Sequence, residues 1–389
     1  MMAAHRVKTG VEVLCATHQY DALLRGKRIG LITAPTGVDA QCISTIDLLH
    51  ARFGLSALFS PEHGVRGNMD AGCSVDTYTD IATGLPVYSL YRKDSKRLTP
   101  LMLQSVDVMV YDIQDVGSRY FTFLYTLLYA LQDCARAGIP FVVLDRPNPL
   151  GGVAVEGNLV RENCRSFVGD YPLCNRYGLT IGEFAFMVHA EQHLGASLTV
   201  VPCAGWKREM LWPQTQLLWI APSPALTCFE AAFLYSGTCL FEGTNLSEGR
   251  GTAAPFRWIG APYLQNPTAL AKMLNEHGHA GIFFRPLFFT PLYGKHAGLL
   301  CGGVELHLTD ARTAQPLRAA LDLLYTVRQE AGDAFQWSTL LPPVTRAHID
   351  LIAGCDALSC GQSQQDFLTI LEKDECAFRA HKKKYHLYE

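Results

Sequence analysis

Val106-Asp107-Val108-Met109-Val110-Tyr111-Asp112-Ile113-Gln114-Asp115-Val116-Gly117 is the stretch that decides the fold. Its first half is a short apolar run, too brief for a helix and rich in valine, so 106–111 reads as a strand buried on both faces. It stops abruptly in a loop of Asp, Gln and Gly. The same unit recurs on either side of it. Strands are expected at 28–33, 55–59, 85–90, 139–144 and 198–201. Helical spacing fills the gaps at 43–53, at 121–137 before Gly138, and at 180–193. The last opens with Thr180 and Glu183 three residues on, a capping box. Continuous apolar strands separated by helices predict an α/β fold, a Rossmann-like doubly wound parallel sheet spanning 1–225.

Trp212 to Pro224, with three prolines and two tryptophans, marks the expected boundary. Beyond it the order of elements is no longer clearly βαβ. A helix near 226–236, a glycine-rich loop at 237–251, a helix at 268–276, strands at 282–289 and 303–308 and a helix at 315–329 predict a smaller α+β domain, 226–389. The charged tail, 372–389, reads as a surface helix that frays. His277 and His279 flank Gly278 in a turn and are expected to be exposed.

Composition narrows the function classes. The chain has 389 residues, 49% hydrophobic and 18% charged, with net charge -3 and mean hydropathy +0.09. That is ample material for a core, and it excludes a disordered chain or a coiled coil. No charge excess draws the protein to nucleic acid or to anionic lipid. No window reads as a membrane span. The start is polar and basic, and the apolar stretch 11–16 is broken by Glu12, so no signal peptide is expected. Thirteen scattered cysteines without a CxxC pair suit a reducing compartment. A cytoplasmic protein is therefore expected, and an extracytoplasmic one only if the true start lies elsewhere.

In an open parallel sheet, ligands bind beyond the carboxyl ends of the strands. Three of these strands end in loops dense in polar residues. These are Ser60-Pro61-Glu62-His63-Gly64-Val65-Arg66-Gly67, then Asp112 to Tyr120, then Asp145-Arg146-Pro147-Asn148-Pro149-Leu150 followed by Val155-Glu156-Gly157-Asn158. A fourth segment, Phe241-Glu242-Gly243-Thr244-Asn245-Leu246-Ser247-Glu248-Gly249-Arg250-Gly251-Thr252, sets two carboxylates, an Asn and an Arg among three glycines. Turn chemistry alone explains any one such loop, but hardly all of them together.

Several templates fail. No GxGxxG follows the first strand, no phosphate-binding loop is present, and no G-x-S-x-G elbow occurs. His189 and His193 lie at helical spacing, but the HExxH order is absent, and they read as surface histidines. Neither a cofactor nor a metal is expected. What remains is carboxylate chemistry with arginine and aromatic support. A Glu at the end of a buried strand, as Glu62 is, can lose solvation, which suits a proton donor. Glycoside hydrolysis needs such an acid and a second group to assist the nucleophile. Tyr91, Tyr120, Phe121, Tyr171, Trp206 and Trp258 offer faces for sugar stacking, although burial is the commoner task of such residues.

The four loops resemble those of the NamZ-type exo-β-N-acetylmuramidases. So do Gly178-Leu179-Thr180-Ile181-Gly182-Glu183 and Arg257-Trp258-Ile259-Gly260-Ala261-Pro262. The resemblance runs from about Gly26 to the C-terminus. It implies two domains with a cleft between them, and release of N-acetylmuramic acid from the non-reducing ends of peptidoglycan fragments. By the same resemblance Glu62 matches the family's catalytic acid. The remaining assignments rest on chemistry. The sugar's lactyl carboxylate calls for an arginine, with Arg66, Arg119, Arg146 and Arg250 as candidates. Asp112, Asp115, Glu242 and Glu248 are candidates for a base or for orienting hydroxyls. His63, Tyr120, Asn148, Glu156 and Asn245 complete the expected binding set. The substrate's acetamido group is an alternative nucleophile. Family members acting on cell wall often carry an export signal, so recycled muropeptides inside the cell are the expected substrate. Two other readings stay open: a non-catalytic muropeptide-binding protein, and a metal-assisted hydrolase built on Glu62, His63, Asp112 and Asp115.

Overall fold

The structure, a computed structural model, describes residues 6–62, 64–67, 77–93, 95–339 and 346–389. The first unit begins with α1 (Gly10–Ala16) and α2 (Asp21–Leu24). There follow β1 (Ile29–Thr33), α3 (Thr45–Phe53), β2 (Leu55–Ser60), β3 (Tyr78–Thr79), β4 (Pro86–Ser89), α4 (Pro100–Gln104) and β5 (Val108–Asp112). Helix α5 (Phe123–Ala137), β6 (Phe141–Leu144), α6 (Ile181–Glu191), β7 (Leu198–Val201) and the short α7 (Trp212–Thr215) complete it.

The strands form one seven-stranded sheet in the order β3-β4-β2-β1-β5-β6-β7. All neighbours are parallel except β3 against β4. The chain runs outward from β1 through β2 to β4, then returns to β5 and runs the other way, which places the topological switch between β1 and β5. The apolar runs are continuous because both faces are covered. Ile29, Leu31, Val108 and Val110 pack under α1 and α3. Ile32, Met109 and Tyr111 face the opposite way, into the cluster that holds α5 and α6. Strand period two thus meets two apolar layers. The expected box opens α6: Glu183 N–H donates to Thr180 Oγ1 at 3.1 Å and Thr180 N–H to Glu183 Oε2 at 3.0 Å. Gly138 ends α5 in the left-handed region, φ 70.

The second unit comprises α8 (Phe229–Thr238), β8 (Trp258–Ala261), α9 (Pro267–His277), β9 (Ile282–Phe289), β10 (Cys301–Leu308), α10 (Pro316–Ala331), α11 (His348–Ala353) and α12 (Gln364–Lys382). Its sheet is antiparallel, β8-β10-β9. The larger apolar cluster passes without a break from the α5–α6 face through α8, α10 and α12. Among the described residues, no helix is long and apolar enough to cross a membrane.

Two expectations need correction. The tail is not a fraying surface helix. Asp374, Glu375 and Lys382 are buried. Glu375 Oε1 accepts from the Gly157 N–H at 2.8 Å and pairs with Arg318 at 2.9 Å. The Lys382 ammonium donates to the carbonyls of Gly152 and Gly178, both at 2.6 Å. Tyr388 Oη donates to Asp145 at 2.5 Å. The charged residues that looked solvated bond main-chain groups of the first unit, and Lys382 shares its two carbonyls with Arg208. His277 is exposed as expected, but the His279 side chain keeps only 16% of its accessibility, and both rings contact Asp322 Oδ2 at 2.8 Å.

Helix α8 crosses α10 at Gly237. A Cβ there would lie 2.1 Å from the Pro316 carbonyl oxygen and 2.6 Å from the Leu317 nitrogen, both main-chain atoms that cannot turn aside. Gly237→Ala is expected to cost about 1–3 kcal/mol, the usual range for overpacking. Urea unfolding of the variant would show it as a lower midpoint with an unchanged m-value.

Candidate active site

A cleft with about 880 Å³ of empty space opens beyond the carboxyl ends of β2 and β4. Glu62 follows β2, Tyr91 follows β4, and Thr122 caps α5; all three line it. Thr122 Oγ1 donates to Glu62 Oε2 at 3.0 Å, and the Tyr91 phenol stands near the same carboxylate. Burial, and then the Glu62 charge, pushes the Tyr91 phenol up to about 12, so it stays a donor. The Lys96 ammonium sits 3.4 Å from the centre of the Tyr91 ring and holds it from behind.

The second half of the chain supplies Tyr235 from α8, Glu242 from the 3-10 turn Cys239–Gly243, Arg250 and His348. Arg250 Nη2 donates to Glu242 Oε1 at 2.6 Å, and Nε lies 3.4 Å from Glu248 Oε1. Burial opposes the Arg250 charge, but Glu242 outweighs it and raises the guanidinium further. Tyr235 makes edge-on contacts with Tyr120 at 5.9 Å, Phe121 at 6.5 Å and Phe256 at 4.7 Å. These rings bridge the two halves beneath the carboxyl groups. Burial drives the His348 imidazole below its ordinary value, with Glu242 acting against it, so the ring is neutral near pH 7.

Of the residues expected at the site, the cleft brings together Glu62, Tyr120, Glu242 and Arg250. His63 lies outside the described residues. The others hold the scaffold. Arg66 pairs with Asp80 at 2.7 Å and Asp47 at 2.9 Å. Asp112 and Arg146 form a buried fork at 2.5 and 2.8 Å, which the Thr45 hydroxyl completes. Asp115 is buried and accepts from the Gly117 N–H at 2.7 Å and from the Tyr177 hydroxyl. Arg119 donates to four main-chain carbonyls, those of Asn158, Leu173, Ile352 and Ala353. Asn148 bridges the Leu179 carbonyl and the Leu150 N–H. Glu156 caps α10 by accepting from Leu317 and Arg318 N–H at 2.9 and 3.1 Å. Asn245 takes the Tyr263 hydroxyl at 2.8 Å, and Glu248 takes Lys295 at 2.9 Å. Asp112 and Asp115, which a metal-assisted reading needs beside Glu62, are thus engaged elsewhere. Of the aromatic candidates, Tyr91, Tyr120 and Phe121 line the cleft, whereas Tyr171, Trp206 and Trp258 do not.

Sequence reasoning missed Thr122, Tyr235 and His348. Thr122 was readable as the cap of a strong helix. Tyr235 and His348 carry no local signal, because only the packing of α8 and α11 against the 3-10 turn brings them to the cleft.

Carboxyl groups held by hydroxyls, an arginine and aromatic walls, in a cleft at the edge of a doubly wound sheet, define a glycoside-hydrolase type of site. The sequence comparisons agree. The profile described as exo-beta-N-acetylmuramidase NamZ, N-terminal, matches residues 29–230, and its C-terminal counterpart matches 233–388. The chain belongs to the NamZ family. It is 42% identical to the peptidoglycan beta-N-acetylmuramidase NamZ of Bacillus subtilis (strain 168), over 98% of this chain and 92% of that one. Two crystal structures of DUF1343 family proteins from Bacteroides fragilis NCTC 9343 share its fold. One is 38% identical with TM-score 0.89, the other 30% identical with TM-score 0.76, each over 99% of both chains.

Burial pushes the Glu156 carboxyl up to about 7. Its folded pKa stands above the ordinary value near 4.3, so the folded state holds the proton more tightly. The stabilisation is full below that ordinary value and is lost as pH rises through about 7. Against Glu156→Gln, which cannot titrate, the wild-type advantage in Tm is therefore expected to be largest near pH 5 and to shrink toward pH 8. Melting both proteins across that range checks it.

Proposed function

We propose that this chain is an exo-acting β-N-acetylmuramidase that releases N-acetylmuramic acid from the non-reducing ends of peptidoglycan or muropeptide fragments. The observation that carries the reading is Glu62, held by Thr122, in one cleft with Tyr91 and the Arg250–Glu242 pair. Family membership supports the same chemistry. In this reading units 1–225 and 226–389 close on the terminal sugar. Glu62 gives its proton to the glycosidic oxygen as the bond to the anomeric carbon breaks. The leaving sugar departs as an alcohol, and water finally supplies the new anomeric hydroxyl. Thr122 fixes the carboxyl rotamer, so little reorganisation accompanies the proton transfer.

Among the described residues lining the cleft, Arg250 is the only arginine. That supports Arg250, of the four candidates, as the residue for the lactyl carboxylate. A guanidinium has five donors, so Arg250 can keep Glu242 and still grip a second carboxylate. Glu242, oriented by Arg250, is the second carboxylate of the site. Free thiols at every described cysteine support a reducing compartment, where recycled fragments are the substrate.

With an aryl N-acetylmuramide, Glu62→Gln is expected to lower kcat at least ~100-fold, the scale of general acid catalysis. Unchanged turnover by the folded variant would remove Glu62 from the role. Arg250→Met is expected to raise KM for the N-acetylmuramide while leaving binding of the corresponding N-acetylglucosaminide, which has no lactyl group, unaffected. Parallel inhibition constants for the two free sugars measure this.

A further inference from the structure

An unusual surface adjoins the cleft. Loop 290–300, between β9 and β10, turns large apolar side chains outward: Leu292 is 86% exposed, Tyr293 63%, Leu300 62% and Leu299 53%. Phe288, near the end of β9, is also 58% exposed. Monomeric proteins seldom leave such a patch without a use.

The loop is firmly held. Lys295 Nζ donates to the carbonyls of Phe241 at 2.7 Å and Leu246 at 3.1 Å, and to Glu248 at 2.9 Å. His296 Nε2 meets the Asn245 carbonyl at 2.6 Å, with its backbone in the left-handed region at φ 57. A non-glycine residue kept in that conformation has to be over-determined by its surroundings. The Leu292 N–H donates to the Gly251 carbonyl at 2.8 Å. The apolar side chains are therefore displayed on a fixed frame.

That frame is built on the wall of the cleft. Gly294 has φ +82, and a Cβ there would lie 3.8 Å from the Arg250 Cβ. The loop thus touches the residue assigned to the lactyl group. The edge of β9 is blunted for strand addition, because Pro286 has no N–H to offer. The patch is suited to side-chain contact with a rigid apolar face.

We propose that this rim carries the saccharide on the leaving-group side of the scissile bond. The inference rests on the exo-muramidase reading: a pocket that admits only the terminal residue obliges the rest of the glycan to run out over a rim. The C–H faces of pyranose rings pack on tyrosine and leucine as apolar surface does, while their hydroxyls remain in water. Arg250 fixes the terminal sugar from inside, and the 290–300 loop receives the next units outside.

The test uses the full chain with Glu62→Gln, which binds without cleaving, and the same protein carrying Leu292→Ser and Tyr293→Ser. Both changes lie on exposed positions. A peptide-free tetrasaccharide of alternating N-acetylmuramic acid and N-acetylglucosamine, ended by the former, is titrated into each by calorimetry, and free N-acetylmuramic acid serves as control. The expected result is about tenfold weaker tetrasaccharide binding, the scale of lost apolar contacts, with the ratio of the two affinities shifted by the same factor. Equal tetrasaccharide binding by both proteins, equal loss for both ligands, or no tetrasaccharide binding at all would overturn the proposal. So would a dimer that the substitutions dissolve while tetrasaccharide affinity stays, since the face would then be a contact between copies. Failure of the muramidase reading shows separately, as absence of turnover of an aryl N-acetylmuramide by the unaltered protein.

Discussion

The guanidinium of Arg119 is fully buried and answers to the main chain, and the geometry of the cleft depends on it. Its donors reach carbonyls of Asn158 and Leu173 in the first unit and of Ile352 and Ala353 at the end of α11. The next residue, Tyr120, lines the cleft from one side. His348, which opens α11, lines it from the other. One charge therefore spans the join between the two halves. Gly354 is shaped to admit it: a Cβ there would lie 3.0 Å from Arg119 Nη2. The open carbonyls at a helix end favour a cation, and burial makes the arrangement costly to disturb because the charge has no water to fall back on. A rigid sheet, a helix of the second unit and the aromatic bridge through Tyr235 are registered against one another by this contact.

A second constraint explains where the site lies. In a doubly wound sheet the crevice at the switch point is the usual ligand position. Here the space beyond β1 and β5 is a separate pocket, lined by Thr36, Val38, Gln114 and Arg146, and a buried ion pair forms its floor. Asp112 at the tip of β5 forks Arg146 from the loop after β6, Thr45 donates to the same carboxylate, and Arg146 reaches on to the Val38 carbonyl at 3.0 Å. The pair is buried on both sides. Such a pair is weak evidence for stability, but removing one partner leaves an unpaired buried charge. The cleft that holds Glu62 lies one strand outward from that pocket, at the ends of β2 and β4. There Glu62 and Tyr91 emerge, and the second unit supplies the facing residues.

The first unit was largely legible in the sequence, because strands buried on both faces leave short apolar runs that nothing else imitates. Val106 to Tyr111 and its neighbours fall where they were read, within a residue or two. Helix α6 was legible from Thr180 and Glu183 alone. The site was legible in chemistry more than in address. Polar residues at strand ends carried the signal, yet Asp112, Asp115, Arg119, Arg146 and Asn148 turned inward to satisfy the scaffold. A strand-end loop needs buried hydrogen bonds as much as it needs ligand groups, and the residue types are the same. Separating the two uses requires knowing which carbonyls go unsatisfied, a property of the assembled fold. Strand β8 and helix α11 escaped for a related reason: they are short, and tertiary contacts define them. The tail misled because Glu375 and Lys382, read as solvated, meet partners more than two hundred residues away in sequence.

That tail has a consequence for how the protein is made. Gly152, Gly157, Gly178 and Asp145 belong to the first unit, yet groups on α12 and just beyond it satisfy them. Arg208 of the first unit shares the Gly152 and Gly178 carbonyls, whereas the Gly157 N–H goes to Glu375 of α12. During synthesis the sheet emerges well before α12. Until α12 arrives the apolar surface it covers stands open, a state prone to association. Folding of the first unit is thus tied to contacts of very long range, which slows its completion.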